Sequence, residues 1–197
     1  MTYVKSTLSD CLQSLADRHN SGTLPNKATT TTLWTRTLNR GLDYCARRLN
    51  LIKSTPLSTV NGTIALPDDF KTIFRVFKDT SELTQLGQDD LDKQTGLSFW
   101  ITGDNFNGYA INTPSDMDLT VEYYFYPAKM VTGTDICIIP DIEAVVSYAY
   151  AMLRKSESDP FEDADRAFAE CDSRLTELKS DQTANNNNLD FQLIKGA

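Results

Sequence analysis

The sequence predicts an α+β protein, with a helical bundle of about four helices, an attached antiparallel β domain and a flexible C-terminal tail. Three observations predict this class. Apolar residues recur at helical spacing near both ends of the chain, alternate along short segments in the middle, and give way to an asparagine run near the C-terminus. The predicted domains are residues 1–58 (N-terminal helices), 59–140 (β domain), 141–181 (a C-terminal helical hairpin packing on the N-terminal helices) and 182–197 (an extended tail).

The composition is that of a globular chain with an acidic balance. The 197 residues are 40% hydrophobic and 23% charged, with a net charge of −8. Residues 1–60 carry eight lysines and arginines against three aspartates, whereas the rest of the chain is acidic. This balance disfavours a dedicated nucleic-acid binder, which must neutralise phosphates. With no membrane-length apolar run and no signal peptide at its start, we expect a soluble, unexported chain without membrane contact.

Two helices are predicted in the N-terminal section. The first covers residues 6–19, with Ser6 or Thr7 as its N-cap, and the second follows a threonine run that offers further caps, over residues 31–49. Four arginines lie mostly off the apolar stripe of the second helix: Arg36, Arg40, Arg47 and Arg48. They form a solvated basic face, a subunit contact or a lining that faces DNA, and the sequence leaves these alternatives open.

The middle of the chain has the alternation and turn residues of short strands. Strands are predicted at residues 63–66, 73–77, 81–86, 99–101, 108–111 and 119–126, with a short helical turn at 88–94. In the last strand Val121, Tyr123 and Phe125 share one face, which ordinary sheet packing would bury. Tyr124 and Tyr126 share the other face and are candidates for a subunit interface, because tyrosine is enriched at protein interfaces.

The C-terminal section predicts a helical hairpin followed by a tail. Pro140 and Asp141 open the first helix, and the second begins after a break at residues 158–160, where Asp159 is the predicted N-cap and Pro160 the first helical residue. A polar tether then leads to Leu189–Ile194, an apolar segment with strand-like alternation. We expect a partner to capture this segment by strand addition or in a groove, and a frayed terminus is the alternative.

No set of residues argues for catalysis, a cofactor or a metal site. The single histidine, His19, lies beside no nucleophile motif, and the glycines form no phosphate-binding loop. Three nearby aspartates at positions 89, 90 and 92 lack the calcium-loop pattern. The four cysteines are widely spaced and are predicted to be free, buried thiols: Cys11, Cys45, Cys137 and Cys171. We therefore expect a protein that is not an enzyme and that needs no cofactor.

The order of these signals resembles the head-to-tail adaptor (connector) proteins of tailed bacteriophages. Asn61–Phe70, which contains a Leu-Pro-Asp-Asp-Phe turn, and the following Ile73–Phe77 are similar to a strand, turn and return strand of that family. The residues from Trp100 to Pro114 and from 119 to 127 are similar to its central hairpin and its strand ending in proline. Ile139-Pro140 and Asp159-Pro160 are similar to the entries of its C-terminal helices, so the resemblance covers about residues 60–180.

The resemblance implies a structural virion protein at the head–tail interface, assembled in the host cytoplasm. Such a subunit belongs to a homo-oligomeric ring, generally a dodecamer, that binds the portal, extends the DNA channel and docks tail or nozzle proteins. A C-terminal tail often reaches the portal, which assigns portal docking to Leu189, Phe191, Leu193 and Ile194. The alternatives are a tail terminator or stopper ring protein, or a small DNA-binding or hydrolytic protein.

Overall fold

The computed structural model describes residues 5–19, 21–104, 107–156 and 161–185. Contacts divide the chain into two compact units. A helical unit contains the residues up to Asn50 and those from Pro127 onward through the last helix, and a β unit contains Leu51–Tyr126. Four helices and two sheets of mostly antiparallel strands confirm the predicted α+β class. The predicted tail lies outside the described residues from position 186 onward.

The helical unit has four helices and the apolar core that they enclose. Its helices are α1 (Leu8–His19), α2 (Ala28–Leu49), α3 (Ile142–Ser156) and α4 (Phe161–Asn185). Leu15, Leu38, Leu42, Val145 and Val146 are almost fully buried, at the helical spacing that the sequence analysis used. No helix in the described ranges is long and apolar enough to cross a membrane.

The helix starts follow local hydrogen bonding, and one of them differs from the prediction. Thr7 caps α1 as predicted: its hydroxyl accepts the Asp10 N–H at 3.4 Å, and the Asp10 carboxylate accepts the Thr7 N–H at 2.7 Å. Helix α2 begins at Ala28, three residues before the predicted start, and takes in the threonine run. The Thr32 hydroxyl donates to the Ala28 carbonyl at 2.9 Å, so this threonine bonds within the helix instead of capping it.

The end of α4 also differs from the prediction. The helix extends to Asn185, and residues 182–185, assigned to the tail from their polar sequence, are helical. A polar stretch can continue a helix that is already nucleated, because each further residue adds one hydrogen bond. The predicted cap at Asp159 and Pro160 lies outside the described residues.

The segment between the β unit and α3 belongs to the helical unit. Its Asp135 and Gly133 carbonyls accept the N–H groups of Leu8 and Ser9 at the start of α1, at 2.8 and 3.1 Å. The Asn39 side chain on α2 exchanges two hydrogen bonds with the backbone of Met130, both at 2.8 Å. The two units therefore divide at Tyr126/Pro127, whereas the sequence analysis drew that boundary after residue 140.

The β unit contains two four-stranded sheets. Its strands are β1 (Ile52–Ser58), β2 (Thr63–Ala65), β3 (Phe70–Lys78), β4 (Ser81–Glu82), β5 (Thr84–Gln85), β6 (Ser98–Asp104), β7 (Gly108–Asn112) and β8 (Asp118–Phe125). The sheet orders are β1-β8-β3-β4 and β2-β7-β6-β5. The prediction of purely antiparallel pairing is wrong at one point, because β5 pairs with β6 in parallel. The predicted helical turn is confirmed as a short 3-10 helix at Gln88–Lys93.

Strand β1 is not predicted from the sequence, since residues 52–58 fall in the predicted N-terminal helical section. It contains Pro56, which weakens a strand signal, but β1 lies at the edge of its sheet, where a proline is tolerated. The strand pairs with β8 along its whole length, from Ile52 opposite Tyr124 to Ser58 opposite Asp118. The predicted strand 81–86 is likewise divided, because the chain passes from one sheet to the other at the buried Leu83.

The core of the β unit lies on the face of β8 that the alternation predicted. Val121 and Tyr123 are fully buried, together with Val76 and Ile111 from neighbouring strands. The Tyr123 hydroxyl donates to Asp69 at 2.9 Å, and the Lys53 ammonium binds the other oxygen of that carboxylate at 2.7 Å. The polar tip of a buried tyrosine is thus satisfied by the turn before β3.

Candidate assembly surfaces

The sequence predicts no catalytic set. Within the described ranges no three His, Cys, Asp or Glu side chains converge as metal ligands. The four cysteines are free and buried, as predicted. They meet in two pairs: hydrogen bonding to Cys171, together with burial, raises the pKa of the Cys45 thiol, and Cys137 does the same for Cys11. Both of these thiols are therefore protonated at neutral pH and are poor nucleophiles.

Three of the four candidate arginines form one exposed stripe on α2. Arg36, Arg40 and Arg47 are exposed, and the helical repeat places them within about 40° of one another around the helix axis. No ion pair joins any of the three to another residue in the described part of the chain. An exposed row of like charge suits contact with an acidic surface, and the interface role of these arginines stays a prediction.

Arg48 differs from the other arginines because its side chain is used within the subunit. Its guanidinium donates to the Tyr44 hydroxyl at 2.9 Å and lies 3.8 Å from the Asp172 carboxylate on α4. The Tyr44 ring in turn stacks on Tyr148 of α3, with centroids 4.6 Å apart. These contacts tie α2 to α3 and α4, so Arg48 has partners within the subunit, and its place at a subunit interface stays a prediction.

The two candidate tyrosines of β8 lie in different surroundings. Tyr124 is half-buried, and its ring makes an edge contact with Phe74 on β3 at a centroid distance of 5.5 Å. Tyr126 follows the end of the strand and is 48% exposed, while its N–H donates to the Asp69 carbonyl at 2.8 Å. Tyr126 is therefore an anchored and accessible aromatic side chain, the type enriched at interfaces.

A rigid turn in the helical unit presents an apolar residue that the sequence analysis did not select. Val131 is 76% exposed, more than any other large apolar side chain in the described ranges. The Asp135 carboxylate accepts the N–H groups of Val131 and Thr132 at 2.6 and 2.8 Å, and the Thr132 bonds lower the pKa of Asp135. The carboxylate closes the turn, so Val131 is held in an exposed position.

A charged cluster that joins three helices was also missed. The Arg18 guanidinium of α1 lies 2.8 Å from both Glu143 of α3 and Glu170 of α4. Arg174 binds Glu170 at 3.1 Å and the helix-capping Asp141 at 2.9 Å. The hydrogen bond from Arg18, with help from Arg174, lowers the pKa of Glu170 to about 2. No sequence motif predicts this cluster, because its members are separated by up to 156 positions or lie among many similar charges.

The remaining site predictions concern the C-terminal tail. Leu189, Phe191, Leu193 and Ile194 lie outside the described residues, so their portal docking stays a prediction. The candidate surfaces among the described residues are the α2 stripe and the exposed Val131 and Tyr126. All of them suit contacts with other proteins.

The comparisons with known proteins agree with a structural role. No curated protein matches the chain. A family model described as SU10 adaptor protein matches residues 6–190, which is almost the whole chain and includes the N-terminal helices. This match confirms the resemblance at the level of a phage structural adaptor, a virion protein that assembles with other head and tail proteins. The chain therefore belongs to the SU10 adaptor protein family.

Proposed function

We propose that copies of this chain form a ring beneath the portal, extend the DNA channel and dock tail components. The family match over residues 6–190 carries the adaptor role. A closed ring needs heterologous contacts, in which one surface of each copy meets a different surface of the next. The exposed and unpaired α2 stripe, on a chain whose net charge is −8, supports such a contact.

The charge balance also supports passage of DNA. Only residues 1–60 carry a positive excess, and the later sections are acidic. A channel lined by acidic side chains would not hold the phosphate backbone by attraction, so DNA would pass without sequence-independent binding. In this proposal the α2 stripe is used between copies and does not face the channel.

The C-terminal segment supplies the contact with the portal in this proposal. Leu189, Phe191 and Leu193 alternate with polar residues, and Ile194 extends the apolar surface. The segment follows α4 after a short asparagine-rich tether, so it is able to reach away from the helical unit. Apolar side chains on an extended segment bind a partner's sheet edge or groove.

The experiment is electron microscopy of the purified protein mixed with its cognate portal. We expect the full chain to add a ring to the portal, and a variant that lacks residues 186–197 but keeps α4 intact to lose portal binding while remaining folded. The matched control lacks only residues 195–197 and should still bind. Equal portal binding by both truncated variants would refute docking through the tail, and binding to isolated tails instead of the portal would favour a terminator or stopper ring.

A further inference from the structure

Strand β3 leaves much of one edge open. Six of its nine residues pair with β8 along one side, and the register is interrupted by bulges at Lys71 and Phe74. Along the other side only Phe77 and Lys78 pair with β4, and the Val76 carbonyl accepts the Leu83 N–H at 2.8 Å. No described residue pairs with that side between Lys71 and Arg75. Unpaired backbone groups of this kind are a template for an added strand.

A groove of about 410 Å³ runs beside the open edge. Its lining combines the apolar Ile73 and Phe74 with polar side chains of Arg75, Glu82 and Gln85, above the buried Phe99. Phe74 is 36% exposed and sits at a bulge, where β3 has one residue more than β8 between Ile73 and Arg75. An added strand needs both backbone partners and places for alternate side chains, and this edge offers both.

We propose that Leu189–Ile194 of this chain docks on the open edge of β3 as an added strand when the portal is absent. The segment has the same number of residues as Phe70–Arg75 and spans about 20 Å when extended. Its apolar residues at positions 189, 191 and 193 share one strand face, which suits contact with the partly exposed Ile73 and Phe74.

The charges of the β unit favour the same occupant. Residues 51–126 contain five lysines and arginines against eleven aspartates and glutamates. Three of those five lie on β3: Lys71, Arg75 and Lys78. The carboxylate of Asp190 lies within the docking segment. The otherwise acidic unit thus places three of its five basic side chains on this strand, and of these Arg75 also lies 3.9 Å from Glu122.

Docking on β3 provides a holding site for an apolar segment. An uncovered strand edge and an exposed alternating segment both promote aggregation, and pairing them removes both hazards. Portal docking would then require the segment to leave β3, and this clause alone rests on the function proposed above. Docking on β3 does not depend on the portal.

Hydrogen exchange of the full chain without portal tests the inference. In the Phe191→Asp/Leu193→Asp variant we expect the amides of β3 between Lys71 and Arg75 to exchange about tenfold faster than in the natural chain. Both substituted positions lie outside the described residues, and circular dichroism of the variant checks that it folds. Lys195→Asp is the matched control, because it alters the net charge by the same amount and leaves the apolar segment intact.

A second experiment adds a peptide of residues 186–197 to the Phe191→Asp/Leu193→Asp variant. The peptide should restore slow hydrogen exchange of the β3 amides, whereas a scrambled peptide should not. When Phe74→Asp is added to the double variant, the peptide should no longer protect the β3 amides. When Val60→Asp is added instead, at an exposed apolar residue outside the groove, the peptide should still protect them. Equal exchange at β3 in the natural chain and the double variant, or peptide protection of a different segment, would overturn the inference. No portal is present, so failure of portal docking would leave these results unchanged.

Discussion

Glu170 shows how single residues hold the helical unit together. Its carboxylate binds Arg18 of α1 at 2.8 Å and Arg174 of its own helix at 3.1 Å. Arg18 also donates to the Ser147 hydroxyl of α3 at 3.0 Å. These charged groups are partly exposed, so the surrounding solvent weakens each pair. The cluster stabilises the helical unit because it joins three helices.

Replacing Glu170 with glutamine should destabilise the protein by about 1 kcal/mol, because Arg18 and Arg174 lose a charged acceptor that is 37% exposed. Urea unfolding at neutral pH measures the change. Glu177→Gln is the matched control: it removes an exposed carboxylate from the same helix and should change stability by less than about 0.5 kcal/mol. Equal losses in the two variants would contradict the role assigned to the cluster.

The lowered pKa of Glu170 predicts that the free energy of unfolding depends on pH. The pKa of Glu170 is about 2 in the folded protein against an ordinary value of 4.5. A lowered folded pKa adds stability that is complete above the ordinary value and is lost as the pH falls toward the folded value. The free-energy difference between the natural chain and Glu170→Gln should therefore be constant above about pH 5 and shrink below it. Urea titrations from about pH 6 to about pH 3 measure this, and a difference that does not vary with pH would refute it.

Helix α2 carries packing on one face and the proposed ring contact on the other. Leu38, Leu42 and Cys45 are buried on the packing face. At Gly41 the helix approaches α3 so closely that an added Cβ would lie 2.7 Å from the Val145 carbonyl oxygen. A glycine weakens an isolated helix, so its presence here follows from the distance between the two backbones.

Gly41→Ala has two opposing effects, one on the helix propensity of α2 and one on its packing against α3. Alanine favours the helix by about 1 kcal/mol, but its methyl group must push α3 away from α2. We expect a net destabilisation of about 1–3 kcal/mol, measured by urea unfolding. Gly96→Ala is the control, since an added Cβ there meets nothing within 4 Å. A Gly41→Ala protein as stable as the natural chain would contradict the close packing of α2 on α3.

On the scale of the whole molecule, the chain provides surfaces for other proteins. Its helical unit presents the α2 stripe and Val131, and its β unit presents Tyr126 and the open edge of β3. Each lies on or beside well-packed elements with buried cores. Assembly contacts placed on rigid elements cost less conformational entropy on binding than contacts on unanchored loops.

Charge reversal in the α2 stripe should prevent ring formation. We expect Arg36→Glu/Arg40→Glu to reduce the fraction of portals that carry a ring at least tenfold, because the proposed contact then becomes repulsive. Electron microscopy counts the rings, and circular dichroism checks folding. Lys129→Glu/Arg166→Glu changes the net charge equally at exposed positions outside α2 and should assemble normally. Equal ring counts for the two variants would show that the α2 stripe is not part of the interface between copies.

Local patterns predicted most of the elements, and the errors have physical causes. The buried face of β8, the four helices and the cap of α1 follow from spacing and capping, which act over a few residues. Strand β1 was missed because its pairing with β8 joins residues 60 to 72 positions apart. The division of residues 81–86 between two sheets has the same origin, since β4 and β5 have different partners.

The candidate surfaces were predictable only in part. Arginines on one face of a helix can be found from the sequence, and family membership accords with the motifs between residues 60 and 180. The sequence does not distinguish Arg48 from its neighbours, because its contacts with Tyr44 and Asp172 depend on how α2 packs against α4. Phe74 gave no signal either, since its exposure arises from a bulge and an unpaired edge.

The sequence by itself determined the fold class, the helix and strand periods, the acidic balance and the likeness to phage adaptors, because these depend on residue type and local spacing. Only the tertiary structure decided which charges are satisfied within the subunit and which face outward. It also decided that β3 keeps an open edge, because strand partners are chosen by the packing of the whole β unit. Contacts between distant residues depend on the free-energy minimum of the whole chain, to which packing and hydrogen bonding contribute. Local sequence patterns do not specify those contacts.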